Sequence, residues 1–295
     1  MVVSHPTFAQ LVPDPTDIRV LDDRCTFTEG PVWFADLGML VWSDIPADRM
    51  LAWTPDGNVR LFREPSMCAN GNTRDRQGRL VTCEHLSRRV TRTEPDGSIT
   101  VIAERYQGRR LNSPNDVVVH ADGTIWFTDP DYGLRQNVQD QPKEQAHDNV
   151  FRFDPGTGVL TSVVDDFDKP NGLAFSPDQR TLYVADSAIT DGPDHPSHIR
   201  VFRVSDDGTM SGGEVFATTV GVPDGMRVDT SGNLWASAGP GVNVYTPGGE
   251  LLGRVELPVD VTNLAFGSPG SGHLFVTAGT SVHLVRVTAD PALRP

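Results

Sequence analysis

Six oxygen-bearing side chains recur at matching points along the chain: Glu29, Asn70, Asn115, Asn171, Asp224 and Asn263. None is Cys or His, so an ion held by any subset would see hard oxygen donors. Such donors suit one divalent cation, Ca²⁺ or Mg²⁺ first, with Mn²⁺ or Zn²⁺ also tolerated. The plainer alternative is that these polar groups satisfy backbone donors and acceptors or bind water. That alternative accounts for Asn70 and Asn263. It accounts less well for the order Glu, Asn, Asn, Asn, Asp, Asn, because a purely geometric need would select one residue type throughout. A ring wide enough to carry six such groups cannot bring all of them to one ion, and a subset of three or four is expected.

The elements that would carry these residues repeat with them. Each begins a phrase: TEGPVWFADLGMLVWSD, ANGNTRDRQGRLVTCE, PNDVVVHADGTIWFTD, PNGLAFSPDQRTLYVAD, PDGMRVDTSGNLWASA and TNLAFGSPGSGHLFVTA. A short apolar run, a turn rich in Asp, Gly, Ser or Pro, and a second β-branched or aromatic run make a hairpin. A third run follows every copy, and a fourth follows the first five. Repeats of roughly 40 to 55 residues with four strands each are the signature of a β-propeller, so the fold class is all-β, a six-bladed propeller. The sixth unit ends after its third strand, while DIRVLDDR precedes the first anchor. That N-terminal segment supplies the missing strand and closes the ring, removing an open sheet edge.

In such a ring the first strand of each blade lines a central channel, and the six anchors converge on one mouth. The ends of the second strands return to the same face, which brings Asp44, Glu84, Asp129 and Asp186 there, with His85 next to Glu84. Residues 131–149 and 187–198 join second to third strands and form long loops over that mouth, as lids or binding loops do. Asp129 and Asp186 are candidates for binding substrate hydroxyls or for capping their strands, and Asp44 reads as a cap. Trp33, Trp42, Trp126 and Trp235 fall on strand positions and read as blade packing.

Composition narrows the field. No linker interrupts the repeats of this 295-residue chain, so residues 1–295 read as a single domain. A formal charge of −14 disfavours nucleic acid, which needs a basic groove. No run has the length of a signal peptide or a membrane span, which predicts a cytoplasmic protein without a membrane partner. Cys25, Cys68 and Cys83 lack metal-type spacing and read as reduced thiols. No GxSxG elbow is present, which argues against a serine nucleophile on that turn. Nothing in the pattern advertises an oligomer interface.

The phrases TEGPVW, ANGNTRDRQGRLVTCEHLSRRV, LNSPNDVVVHADGTIWFTDPDYG, KPNGLAFSPD and PDGMRVD, in this order, make the chain resemble the gluconolactonase branch of the family that includes senescence marker protein (regucalcin). Paraoxonases and diisopropylfluorophosphatase are more remote members. The resemblance implies a six-bladed propeller with one catalytic divalent metal, bound by Glu29, Asn171 and Asp224. Asn115 then binds the metal or meets the substrate. It further implies hydrolysis of a sugar lactone to its aldonic acid, with the carbonyl polarised by the metal. Asp224 and Asp116 are the two candidates for the base that activates water. His85 is a candidate for protonating the leaving oxygen or binding a hydroxyl, because its ordinary pKa lies near working pH, or else is a structural histidine. Asn70 is a candidate substrate contact. One departure stands out: Ser113 occupies the position of an Arg in the regucalcin branch, so that branch's contacts there do not transfer. A metal-dependent aryl esterase or phosphotriesterase, and a non-catalytic interaction propeller, are the alternative readings; for the second, exposed aromatic and Arg anchors would be expected in place of carboxylates and amides.

Overall fold

The computed structural model describes residues 5–135 and 138–292. Among them six four-stranded antiparallel sheets form, and their innermost strands touch in cyclic order, so the sheets are the blades of a closed propeller. These innermost strands are Thr28–Phe34, Ala69–Arg74, Val117–Val119, Pro170–Phe175, Met226–Val228 and Val261–Phe266. The expected closure is present: Ile18–Asp22 pairs antiparallel with Ser281–Arg286, with Ile18 opposite Val285 and Val20 opposite His283. A short helix, Pro6–Leu11, precedes that strand and lays Phe8 on Gly253 of blade five.

Aromatic and branched side chains fill the wedges between blades, which is where a propeller buries its apolar surface. Trp126 of blade three meets Phe175 of blade four edge-on at 5.4 Å, and Trp235 of blade five meets Phe266 of blade six at 5.6 Å. Trp33 of blade one stacks on Phe275 of blade six at 5.2 Å. Trp42, Trp126 and Trp235 are fully buried. The tryptophans therefore pack blades, as their strand positions suggested.

Near the channel the packing is tighter than side chains allow. A Cβ on Gly30 would lie 2.1 Å from the Asn70 carbonyl oxygen, and one on Gly172 would lie 2.1 Å from that of Asp224. Glycine after an anchor thus lets another anchor's backbone press against it. Hydroxyls tie carbonyls at or next to the anchors in place: Ser43 Oγ donates to Asn70 O at 2.8 Å, Thr128 Oγ1 to Asn171 O at 2.7 Å and Ser187 Oγ to Pro223 O. In blades three and five the anchors stand just ahead of the strand rather than at its start. A two-stranded ribbon, Arg105–Tyr106 with Arg109–Arg110, lies between blades two and three and has no counterpart in the repeat.

Candidate active site

A cavity of about 910 Å³ opens at the predicted mouth. Glu29, Asn70, His85, Asn115, Asn171 and Asp224 line it, and Tyr132, Arg135 and Thr190 reach it from the long loops. Five of the six anchors therefore meet in one space. The sixth, Asn263, stands behind: its Nδ2 donates to Glu29 Oε2 at 3.1 Å, while Gly30 N donates to the same oxygen at 2.6 Å. Asn263 also rests against Gly225, where a Cβ would come within 2.0 Å of its amide carbon. It fixes the Glu29 carboxylate rather than facing the cavity.

The charges here are crowded. Burial, and then the Asp116 carboxylate, push the Glu29 pKa up to about 7. Asp224 is raised well above the usual carboxylate range by burial and then by Glu29 and Asp116. Asp116 is raised by burial, with Arg227 opposing the shift. Its Oδ2 lies 3.9 Å from Arg227 Nη1, and Arg227 belongs to a second cavity of about 580 Å³ at the opposite mouth. Asp116 accordingly lies behind the floor, not on the cavity wall.

Two features show how the floor could take a cation. Asn171 Oδ1 is buried and has no hydrogen-bond partner, and it adjoins carboxylates that repel one another. An ion would satisfy the first and relieve the second. Among the described residues no three His, Cys, Asp or Glu side chains form a ligating set, so amide oxygens must contribute. Glu29, Asp224, Asn171 and Asn115 meet that requirement, and the residues present fit the group.

Residues 27–280 match the model of the SMP-30/Gluconolactonase/LRE-like region. The chain belongs to this family. It is 33% identical to a gluconolactonase of Zymomonas mobilis over 92% of this chain and 81% of that protein. It is 30% identical to the pentonolactonase XacC of Haloferax volcanii, over 89% and 84%. The gluconolactonase XC5397 of Xanthomonas campestris superposes with a TM-score of 0.88 at 39% identity, covering 97% of this chain and 94% of that one.

Within this gluconolactonase-like frame, the geometry bears on alternatives that the sequence left open for Asp129, Asp186 and His85. Asp129 and Asp186 do not line the cavity. Asp129 Oδ2 accepts from Asn112 N at 2.8 Å, and Asp186 accepts from Asp168 N and Lys169 N at 3.2 and 3.0 Å. Asp44 does the same for Thr26 N and Phe27 N. All three hold the backbone just upstream of an anchor, and strand capping rather than hydroxyl binding is what their geometry serves. Burial raises the Asp129 pKa to about 8. Glu84 is likewise engaged, with Ser87, Arg89 and Thr91. His85 does line the cavity. Burial lowers its pKa to about 4, and Asn70 Nδ2 lies 3.1 Å from its Nε2, so the imidazole is neutral at working pH.

The loops do cover the mouth, apart from residues 136–137, which lie outside the described residues. Lys169 Nζ reaches Asp131, Asp148 and Asp191 at 2.9, 3.5 and 3.3 Å, joining the two insertions, and Arg135 pairs with Asp191 at 2.5 Å. Ser113 Oγ donates to Pro130 O at 2.6 Å and accepts from Gly133 N at 2.9 Å, which seats the first loop beside His85. Sequence reasoning placed Asn263 in the ring but not its hold on Glu29, and it missed Lys169 and this use of Ser113. The signal available for the inner ring was that four of the six anchors are followed by glycine.

Proposed function

We propose that the protein hydrolyses lactones, those of the glucono-1,5-lactone type included, using one divalent ion, Ca²⁺ first, held by Glu29, Asn171, Asp224 and Asn115. The observation that carries this is the unpartnered Asn171 Oδ1 beside the mutually repelling Glu29 and Asp224 at the cavity floor. The names of the relatives, gluconolactonase and pentonolactonase, support a lactone hydrolase. The chemistry an ion supplies when bound there is polarisation of the lactone carbonyl and stabilisation of the charge developing on its oxygen.

The chain's own residues supply the rest. Asp224 faces the cavity where the ester would sit, so it takes the proton from the attacking water and returns it to the ring oxygen as that oxygen leaves. Asp116 does not line the cavity; it lies beside Arg227 behind the floor, and it sets the local charge instead. Neutral His85 and Asn70 form one hydrogen-bonded pair on the wall and orient the substrate. Asn263 keeps the Glu29 carboxylate in register. The roof formed by Tyr132, Arg135 and Thr190 limits bulk water.

The test is hydrolysis of glucono-1,5-lactone by protein stripped with EDTA, before and after adding Ca²⁺, Mg²⁺, Mn²⁺ or Zn²⁺, against the spontaneous rate. Activity should return with metal. Activity that persists without metal refutes the metal route, and a protein that binds an ion yet leaves every lactone intact refutes the reaction.

A further inference from the structure

The cavity wall has two unlike halves. Blades two to four contribute Asn70, His85, Asn115 and Asn171, with Cys68, Tyr132 and Val138 beside them. Blades five, six and one contribute Val222, Val261, Phe27, Ile45 and Pro46, an apolar arc facing that amide wall. The arc is set by backbone hydrogen bonds: Gly239 N donates to Val222 O at 3.2 Å, Val261 N to Gly239 O at 2.8 Å and Ile45 N to Phe27 O at 3.1 Å. Gly239 and Gly279, between these side chains, add no polar atom beyond the backbone. Thr262 Oγ1 is spent on Thr28 O at 2.8 Å, and the polar side chains left at the arc's edge, Thr26 and Asp260, are exposed.

We propose that the site takes lactones carrying an apolar ring substituent, alkyl or aryl, which lies along this arc while the ester sits over Glu29, Asn171 and Asp224. This rests on the lactonase reading given above and names its substrate class. Three observations carry it. Hydroxyls placed against Phe27, Ile45, Pro46, Val222 and Val261 would give up water for side chains that offer no partner, whereas methylenes would gain. Phe27 keeps 40% of its surface exposed on a rim that no described segment covers, and Val220 and Val259, one or two residues from lining positions, are 89% and 41% exposed. An anionic substituent is disfavoured, because Asp260 stands at the arc and the cation in the roof, Arg135, is already paired with Asp191.

The reaction balances as an ordinary hydrolysis. The oxygen of one water bonds to the carbonyl carbon, the bond from that carbon to the ring oxygen breaks, and the ring oxygen leaves as a hydroxyl. The product is a hydroxycarboxylate, and one proton goes to solvent.

The experiment compares kcat/KM for a series of δ-lactones with methyl, propyl and pentyl substituents against glucono-1,5-lactone, on metal-loaded protein. Burial along the arc predicts a rise of about two- to fourfold per methylene. Val222→Asn should flatten that series while its melting temperature stays near that of the parent, since Val222 is only half-buried. A flat or falling series in the parent, with glucono-1,5-lactone turned over, overturns the proposal and leaves the lactonase reading standing. A rising series that V222N does not flatten overturns the role of the arc. Hydrolysis of neither class overturns both.

Discussion

Replacing Gly172 by Ala tests whether the close approach of inner strands positions the site. Gly172 has no positive φ, so space alone opposes the new methyl. Its Cβ would stand 2.1 Å from Asp224 O and 2.7 Å from Gly225 Cα. Real Cβ contacts essentially never fall below 3.0 Å, so the Asp224 carbonyl must retreat by at least 0.9 Å. Both atoms in the way are backbone, which leaves no flexible tip to swing aside. Overpacking of this kind costs about 1–3 kcal/mol. At about 2–4 °C per kcal/mol for a domain of this size class, the melting temperature falls by roughly 5 °C. Asp224 moves with its backbone, and a displacement near 1 Å at a reacting centre costs on the order of a hundredfold in rate. Scanning fluorimetry and metal-supported lactone hydrolysis read the two effects. Gly248→Ala is the matched control, because its nearest neighbour would be Thr246 Oγ1 at 3.7 Å. If G172A melts within about 1 °C of the parent and turns over equally, the tight inner ring does not position the site.

Asp224→Ala should abolish divalent-ion binding in calorimetry and turnover together, since it removes both a donor and the base. Asp116→Asn should keep the ion and hold turnover within about tenfold, against the roughly 10²–10⁴ expected on losing a general base; a loss in the latter range would move the base to Asp116. Glu29 has its folded pKa raised from 4.5 to about 7, so in chelated protein its contribution favours folding at low pH and is lost as pH rises from 4.5 through 7. The effect is at most on the order of 3 kcal/mol; thermal melts in EDTA should show it, and saturating metal should abolish it. Because His85 is held neutral, with its pKa lowered to about 4, the rate profile of the metal-loaded protein should carry no inflection near 6.5 from this residue. An inflection there that disappears in H85Q would contradict its neutrality.

The ring was legible because repetition carries register. Once TEGPVW and its five counterparts are aligned, strand alternation fixes which residues face the channel, and the unpaired segment at residues 18–22 has one vacant place to go. Glu29, Asn115, Asn171 and Asp224 share a cavity wall for the same reason. Alignment could bring Asp129 and Asp186 to the correct end of the molecule but could not say what they face. That depends on where the upstream backbone N–H groups of Asn112 and Lys169 fall, which is set by tertiary packing. The protonation of His85 was illegible for a related reason. Its ordinary pKa describes an imidazole in water, and the loop seating Gly133 against it, which helps remove that water, lies nearly fifty residues downstream. Lys169 reads as one more surface charge until both insertions fold over it.

Blade six is stitched from the two ends of the chain, and it stands between the blade that carries Glu29 and the blade that carries Asp224. The distance between those carboxylates is therefore undefined until residue 18 has found residue 285. During synthesis the N-terminal strand must wait, single and unpaired, for the final strand to emerge, and so long-range a closure is slow. Competence to capture an ion would then be among the last properties the molecule acquires. Because the ion prefers the closed ring, it would also act as a clasp, holding the termini together in proportion to its concentration.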